Sequence, residues 1–285
     1  LSCVSTGTLY LEQGNTFTGT SNKNLTITER SLAFTIYEHG HGAANPIIDM
    51  EGSGRFCTID AICTVTMSNL VIQNGNESIE RGGAIVNNGI LYALSCTFSY
   101  NTADIAGAIE NTGLFNASRC TFSNNSADED GGAIRNGNKS EATDCIFSSN
   151  RAGNGGAIET RGNFKASGCA FNNNDASYGG AIENVEGDSQ TFGCTFSGNS
   201  AAFGGAIEHG DGDFKASNCT FNGNNANYGD GAGGAVEIYS GKFEANGCIF
   251  SINHADGYGG AIEIVGGFDG EAVLTATGCT FNGNS

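Results

Sequence analysis

The chain has 285 residues, and its 12 Lys and Arg are outnumbered by 30 Asp and Glu, which gives a formal net charge of -18. These few, scattered basic residues exclude the basic surface that nucleic-acid binding requires. No apolar run approaches the ~18 residues of a membrane-spanning helix, so we expect no membrane-spanning segment and a secreted, extracellular location. The first residue is Leu1 rather than Met, which is typical of a chain that has lost a signal segment or of a piece of a longer protein.

Residues 1–69 form the first predicted region. They carry no regular repeat, but apolar and polar residues alternate at 25–27, 34–36 and 65–67 as they do in half-buried strands. We interpret this region as two or three irregular leading coils that cap the N-terminal end of a repeat array. Leu70 and Ile72 then occupy the positions that Cys and Phe take in every later copy.

Residues 70–285 form the second region, which consists of tandem copies of one unit. The unit is clearest at residues 194–208, which read CTFSGNSAAFGGAIE, and most copies begin 24 or 25 residues apart. In this copy the repeated positions are Cys194, Phe196, Asn199, Gly204, Gly205 and Ile207. A fixed period of this length predicts a stack of identical supersecondary units.

The spacing within the unit indicates strands. Cys194 and Phe196 are apolar and flank the polar Thr195, which is the period of a half-buried strand and not of a helix. A second such stretch precedes each repeat cysteine, and a third is the Ala-Ile-Glu segment of the GGAI box. Three short strands with turns fit a coil of about 24 residues at a rise of ~3.3 Å per residue. The sequence therefore predicts an all-β fold, a parallel β-helix that forms one continuous domain.

Each repeated residue then forms a column along the stack, because coils lie ~4.8 Å apart in register. Asn199 suits a corner, since asparagine tolerates left-handed backbone angles and its amide can hydrogen-bond along the column. Gly204 and Gly205 suit a tight corner where a Cβ would clash.

The FxxN and GGA[ILV] motifs together resemble the repeats of the chlamydial polymorphic outer-membrane proteins. CTFSGNSA is also similar to repeats of secreted right-handed β-helix proteins, and the resemblance covers about residues 47–285. It implies a right-handed β-helix that is exposed at a surface or secreted and that serves in adhesion or as structural material. It supplies no catalytic residues.

The cysteines and the acidic residues raise two questions of chemistry. Eight of the 11 cysteines lie at one inward position of successive coils, where thiols pack as small hydrophobes; Cys57 and Cys63 are the better candidates for a disulfide, with Cys3 left over. Directly after the GGAI boxes stand six glutamates, including Glu159, Glu183 and Glu208. We interpret them as a solvated polar face, or alternatively as a column that binds Ca²⁺ through its carboxylate oxygens.

Other activities leave weaker signals. Gly40-His41-Gly42 matches a short polygalacturonase motif, but the accompanying aspartates and Arg-x-Lys are absent, so we expect no enzyme. An outward column of threonines, including Thr195, could form an ice-binding face, but threonine is an ordinary β-strand residue. Tyr178, Tyr228 and Tyr258 lie near the GGAI turns and are only loosely aligned.

We therefore predict a non-enzymatic structural protein, the rod segment of a surface filament or appendage, with no cofactor apart from possible Ca²⁺. The alternative is an adhesin-type module that binds glycans or a surface receptor. We also predict head-to-tail self-association into a homopolymer. Its expected contacts are Leu1, Val4, Leu9 and Leu11 at one end and Phe281 and Asn284 at the other.

Overall fold

The structure is a computed structural model that describes residues 7–28, 31–37, 44–266 and 271–285. In this part of the chain almost every regular element is a β-strand, and the one helix is a single 3-10 turn at Thr20–Asn22. The strands form three long parallel sheets, here called A, B and C, that stack along one axis. The predicted parallel β-helix is confirmed.

The strand bounds follow the repeat. Sheet A contains Gly7–Glu12, Ser31–Tyr37, Thr64–Ser68, Ile90–Leu94, Leu114–Ser118, Lys139–Thr143, Asn163–Ser167, Ser189–Phe192, Asp213–Ser217, Gly241–Asn246 and Ala272–Thr277. Sheet B contains Thr16–Phe17, Ile47–Asp49, Val71–Gln73, Thr97–Ser99, Thr121–Ser123, Ile146–Ser148, Ala170–Asn172, Thr195–Ser197, Thr220–Asn222, Ile249–Ser251 and Thr280–Asn282. Sheet C contains Leu25–Ile27, Cys57–Ile59, Ile85–Asn87, Ile109–Asn111, Ile134–Asn136, Ile158–Thr160, Ile182–Asn184, Ile207–His209, Val236–Ile238 and Ile262–Ile264.

Short strands bridge sheets B and C in some coils. They form two small parallel sheets, one of Asn76–Arg81, Thr102–Ile105 and Ser126–Ala127, the other of Ser200–Ala201, Asn225–Ala226 and His254–Ala255. The three principal strands per coil agree with the prediction, and these short segments are an addition to it.

The register holds from coil to coil, including the coils before the regular repeats. Phe98 pairs with Ile72, which in turn pairs with Ile48, so the leading coils belong to the same sheet as the later ones. Ile72 therefore occupies the phenylalanine column, as the sequence predicted.

The core is a stack of aromatic rings. The ring of Phe196 lies 4.8 Å from that of Phe171 and 4.7 Å from that of Phe221, with the planes nearly parallel. Phe196 is fully buried and Thr195 is exposed, which confirms the inward and outward assignment. Cys194 is also buried, beside the same core.

A ladder of buried side-chain amides follows one corner. The amide nitrogen of Asn199 donates to Oδ1 of Asn224 at 2.9 Å and to the carbonyl of Phe171 at 3.0 Å. The backbone N–H of Asn199 also donates to Oδ1 of Asn224. The predicted ladder is present, but the left-handed residue is the one before the asparagine, Gly198, with φ of 64°. The asparagine is selected by its hydrogen bonds and not by its backbone angles.

The paired glycines are required by close backbone contacts. Gly204 has φ of 62°, and a Cβ there would lie 2.1 Å from the carbonyl oxygen of Ile207. A Cβ on Gly205 would lie 2.2 Å from the carbonyl oxygen of Gly234 in the next coil. Neither gap admits a side chain unless the backbone shifts, which favours glycine at both positions, although the equivalent first position holds Ala106 with φ of 60° in one coil.

The predicted disulfide is absent. Cys57 is a free, fully buried thiol in sheet C, so it forms no bridge with Cys63. The repeat thiols from Cys96 to Cys248 are also free and buried. In the coils around Cys120, the backbone N–H of one cysteine lies 3.4 Å from the sulfur of the next. Cys3 lies outside the described residues.

Candidate functional site

The most unusual polar feature is the acidic column on the outer side of sheet C. The strands place one residue per coil in register at this position: Val86, Glu110, Arg135, Glu159, Glu183, Glu208, Glu237 and Glu263. We call its six glutamates the acidic column. We expected a solvated face, but Glu159 is 0% exposed, Glu237 6% and Glu208 9%, so that expectation was wrong.

The burial has a local cause in the GGAI corner. The first residue of each box, a glycine except at Ala106, has a positive φ and turns the chain back against the strand that follows it. A Cβ on Gly204 would also meet the backbone nitrogen of Glu208 at 2.8 Å. The residue just before each box forms a second column, in which backbone bridges pair position 81 with 105 and join the positions from 130 to 258. We call it the flanking column: Arg81, Ile105, Asp130, Asn154, Tyr178, Phe203, Ala232 and Tyr258.

Arginines neutralise the N-terminal half of the acidic column. Arg135 lies between two glutamates, with Nη1 2.9 Å from Oε1 of Glu110 and Nε 3.4 Å from Oε2 of Glu159. Arg161 adds a contact of 2.7 Å from Nε to Oε1 of Glu159. Arg81 lies 3.3 Å from Glu110.

The C-terminal half has no such partners. Among the described residues, no Lys, Arg or His forms an ion pair with Glu183, Glu208 or Glu237. The Oε2 atoms of Glu183 and Glu237 are buried and accept no hydrogen bond. Unpaired buried carboxylates are costly, so they are expected to hold protons more tightly than exposed ones.

The pKa values follow this arrangement. Burial, followed by the charges of Glu208 and Glu159, raises the pKa of Glu183 to about 9. Burial and the charge of Glu237 raise the pKa of Glu208 to about 8, and burial and Glu263 raise that of Glu237 to about 7. Burial also raises the pKa of Glu159 to about 7, although its arginine neighbours act in the opposite direction.

Aromatic rings flank the same unpaired half. Tyr178 and Phe203 stack with ring centroids 5.3 Å apart, and Tyr258 lies two coils further along the flanking column. Tyr178 and Tyr258 are 42% and 67% exposed. Two of the three tyrosines that we judged loosely aligned are therefore in one column. Tyr228 stands apart, with its hydroxyl 3.3 Å from Asp175.

Phe203 and His209 were not among the functional residues predicted from the sequence. Phe203 could have been found from its position, because it directly precedes a GGAI box as Tyr178 does. His209 replaces a buried asparagine in a second amide column, next to Asn184, and burial lowers its pKa to about 4. This position could have been recognised from the sequence, because Asn87, Asn111 and Asn136 recur at the same place on the inner side of sheet C.

The acidic column was also a predicted site for a divalent cation. In the described ranges, no group of three or more His, Cys, Asp or Glu side chains is arranged to hold a metal ion. Calcium binding by Glu159, Glu183 and Glu208 remains a prediction. The Gly40-His41-Gly42 motif lies outside the described residues.

The predicted assembly residues are only partly described. Leu1 and Val4 lie outside the described residues, Leu11 is buried and Leu9 is partly buried. Phe281 stacks on Phe250 at 4.9 Å and is half exposed. The Oδ1 atom of Asn284 accepts hydrogen bonds from Asn253, so it continues the amide ladder. Head-to-tail association remains a prediction.

Comparison with known proteins supports the resemblance seen in the motifs. Residues 119–137, 144–161 and 193–209 match the repeat of the Chlamydia polymorphic membrane proteins. Each segment contains a GGAI corner and the strand of sheet C that follows it, so the match and the solenoid agree. No curated protein and no solved structure matches the chain. Where the structure describes the chain, it has no helix with the length and hydrophobicity of a membrane span.

Proposed function

We propose that this chain is a non-enzymatic scaffold, a rigid rod segment at a cell surface that holds columns of side chains at fixed spacing. The observation that carries the proposal is the unbroken register of three parallel sheets. The first and last strands of each sheet are separated by about ten coils. At ~4.8 Å per coil such a rod is about 48 Å long. The matched repeats occur in proteins described as Chlamydia membrane proteins, which supports a surface location.

A rod of this kind is built by the addition of one coil to the next. Each coil contacts only its neighbours, so its length can change by whole coils without loss of the fold. Extension by association of chains, as in a filament, uses the same principle and is part of this proposal. Sedimentation of the chain with and without residues 1–12 tests the filament: monomers in both samples would contradict it.

The scaffold is tested by deleting one coil in register. Removal of residues 170–194 joins Cys169 to Thr195 and keeps every column aligned. We expect a folded rod, shorter by one coil, that is still reached by antibodies on intact source cells. The control removes residues 170–182, half a coil, and should not fold. Equal damage from both deletions, or labelling only after the cells are permeabilised, would contradict the proposal.

A binding role is the second candidate, and one observation favours it. The exposed rings of Tyr178 and Tyr258 lie in the column that flanks unpaired carboxylates, an arrangement that a purely structural rod does not need.

A further inference from the structure

The two halves of the acidic column differ in one respect. In the N-terminal half the chain supplies its own guanidinium groups, and Arg135 occupies a column position between Glu110 and Glu159. In the C-terminal half the column continues with Glu183, Glu208, Glu237 and Glu263. No described Lys or Arg occupies a column position or forms an ion pair there, although the charge of Arg161 still acts on Glu183. The N-terminal half therefore shows that a guanidinium group fits the environment that the C-terminal half offers.

The column can be reached from solvent. The Arg161 side chain is 42% exposed, yet its Nε contacts Glu159, which is fully buried. Arg81 is 52% exposed and contacts Glu110 in the same way. A guanidinium on a long apolar stem can thus enter from outside while the rest of its side chain stays near the surface.

Two further observations point to a ligand in the C-terminal half. Glu237 is more than nine-tenths buried, and its Oε2 has no hydrogen-bond partner. The Oε2 atoms of Glu110 and Glu159 share this feature, but each of those carboxylates is paired with an arginine through Oε1. Aromatic rings stand in the flanking column of the same coils, with Tyr178 stacked on Phe203 and Tyr258 two coils beyond Phe203. Guanidinium groups stack on such rings and donate to carboxylates at the same time.

We infer that the C-terminal half of the acidic column, from Glu183 to Glu263, binds arginine side chains of a partner protein, with Tyr178 and Tyr258 packing against the guanidinium planes. This inference goes beyond the scaffold proposal, because a rod could stand at a surface without it.

Arginine fits better than the other cations. Calcium takes about 6–8 oxygen ligands, whereas the column offers one carboxyl per coil. Lysine presents a single strongly hydrated charge, while a guanidinium has donors in a planar fork that reach two carboxylates. Arg135 makes this two-sided contact within the chain itself.

Binding should release protons. The pKa values of Glu183 and Glu208 lie at about 9 and 8, so both carboxyls are mainly protonated at pH 7. A guanidinium favours the ionised form, so each carboxyl that pairs gives up its proton to the buffer. Non-specific attraction of an arginine ligand to the net negative charge of the chain would not produce this release of protons.

The test uses the full chain and a fluorescent peptide of alternating Gly and Arg, compared with the same peptide carrying neutral citrulline. Titration calorimetry at pH 7 and 0.15 M salt, in two buffers of different ionisation enthalpy, measures affinity and proton release together. We expect the arginine peptide to bind with release of one to two protons and the citrulline peptide to bind at least tenfold more weakly.

A matched pair of variants locates the site. Glu208→Gln with Glu237→Gln should weaken binding at least tenfold and reduce the proton release. The control, Glu141→Gln with Glu271→Gln, makes the same two substitutions at exposed positions and should change affinity less than twofold. Thermal melts confirm that both variants fold. Equal weakening by the two pairs, no proton release, or no binding of the arginine peptide would overturn the inference.

Discussion

Replacing Glu208 with glutamine tests the energetics of the acidic column. Burial, then the charge of Glu237, raises the pKa of Glu208 from 4.5 to about 8. Between these values the folded state holds more protons than the unfolded state, so the unfolding free energy falls as the pH rises. The stability that protonated Glu208 contributes is fully present below pH 4.5, and it is lost as the pH rises through 8. At pH 7 this contribution to the unfolding free energy is lower by about 3 kcal/mol than at pH 4.5, because each pH unit changes it by ~1.4 kcal/mol.

Glutamine keeps the size of the side chain and removes its titration. We expect Glu208→Gln to be more stable than the natural chain by about 3 kcal/mol at pH 7 and nearly equal to it at pH 4.5. Urea unfolding at half-unit steps from pH 4.5 to 8.5 measures this difference. Glu141→Gln, at an exposed position of sheet A, should show no such trend. A Glu208→Gln profile parallel to that of the natural chain would refute the burial argument.

Four other predictions follow from the columns. Phe196→Ala should cost about 3 to 5 kcal/mol as a buried ring, while Thr195→Ala costs little, and denaturant melts should separate the two. Asn199→Ala removes the acceptor of the backbone N–H and of one side-chain N–H of Asn174 in the core, and should cost at least about 3 kcal/mol in the same melts. His209→Asn should remove a loss of stability between pH 6.5 and 4, because the histidine is buried in its neutral form and the unfolded state takes up the proton first. Millimolar Ca²⁺ should raise the melting temperature at pH 7 if the carboxylates bind it, and an unchanged temperature would contradict calcium binding.

The repeat made the inward columns predictable. Phe196 and Cys194 recur with the spacing of a strand, and their burial follows from alternation alone. Asn199 recurs at a corner, and the amide ladder follows from stacking identical residues. These inferences need only one coil and the assumption that the next coil lies directly above it.

The outer side of sheet C could not be predicted in this way. Alternation places Glu208 outward, and outward normally means solvated. Its burial depends on how the Gly204 corner folds back onto the strand, and on what the neighbouring coils supply at the flanking position. The difference between the two halves depends on single exceptions to the repeat, above all Arg135 and Arg161. A consensus sequence of the repeats would not contain these residues.

Four of the buried titratable groups together favour an unusually low pH for folding. His209 favours folding more strongly as the pH rises from 4 to 6.5, whereas Glu183, Glu208 and Glu237 favour it less as the pH rises from 4.5 to between about 7 and 9. Where these windows overlap, three carboxyls oppose one imidazole, so the net slope with pH is negative. The contribution of these four groups is therefore greatest near pH 4.5, below the range of pH 5 to 8 where stability commonly peaks. An arginine ligand would reverse this trend, because it stabilises the ionised carboxylates, and the bound rod should gain most at the pH values where the free rod is weakest.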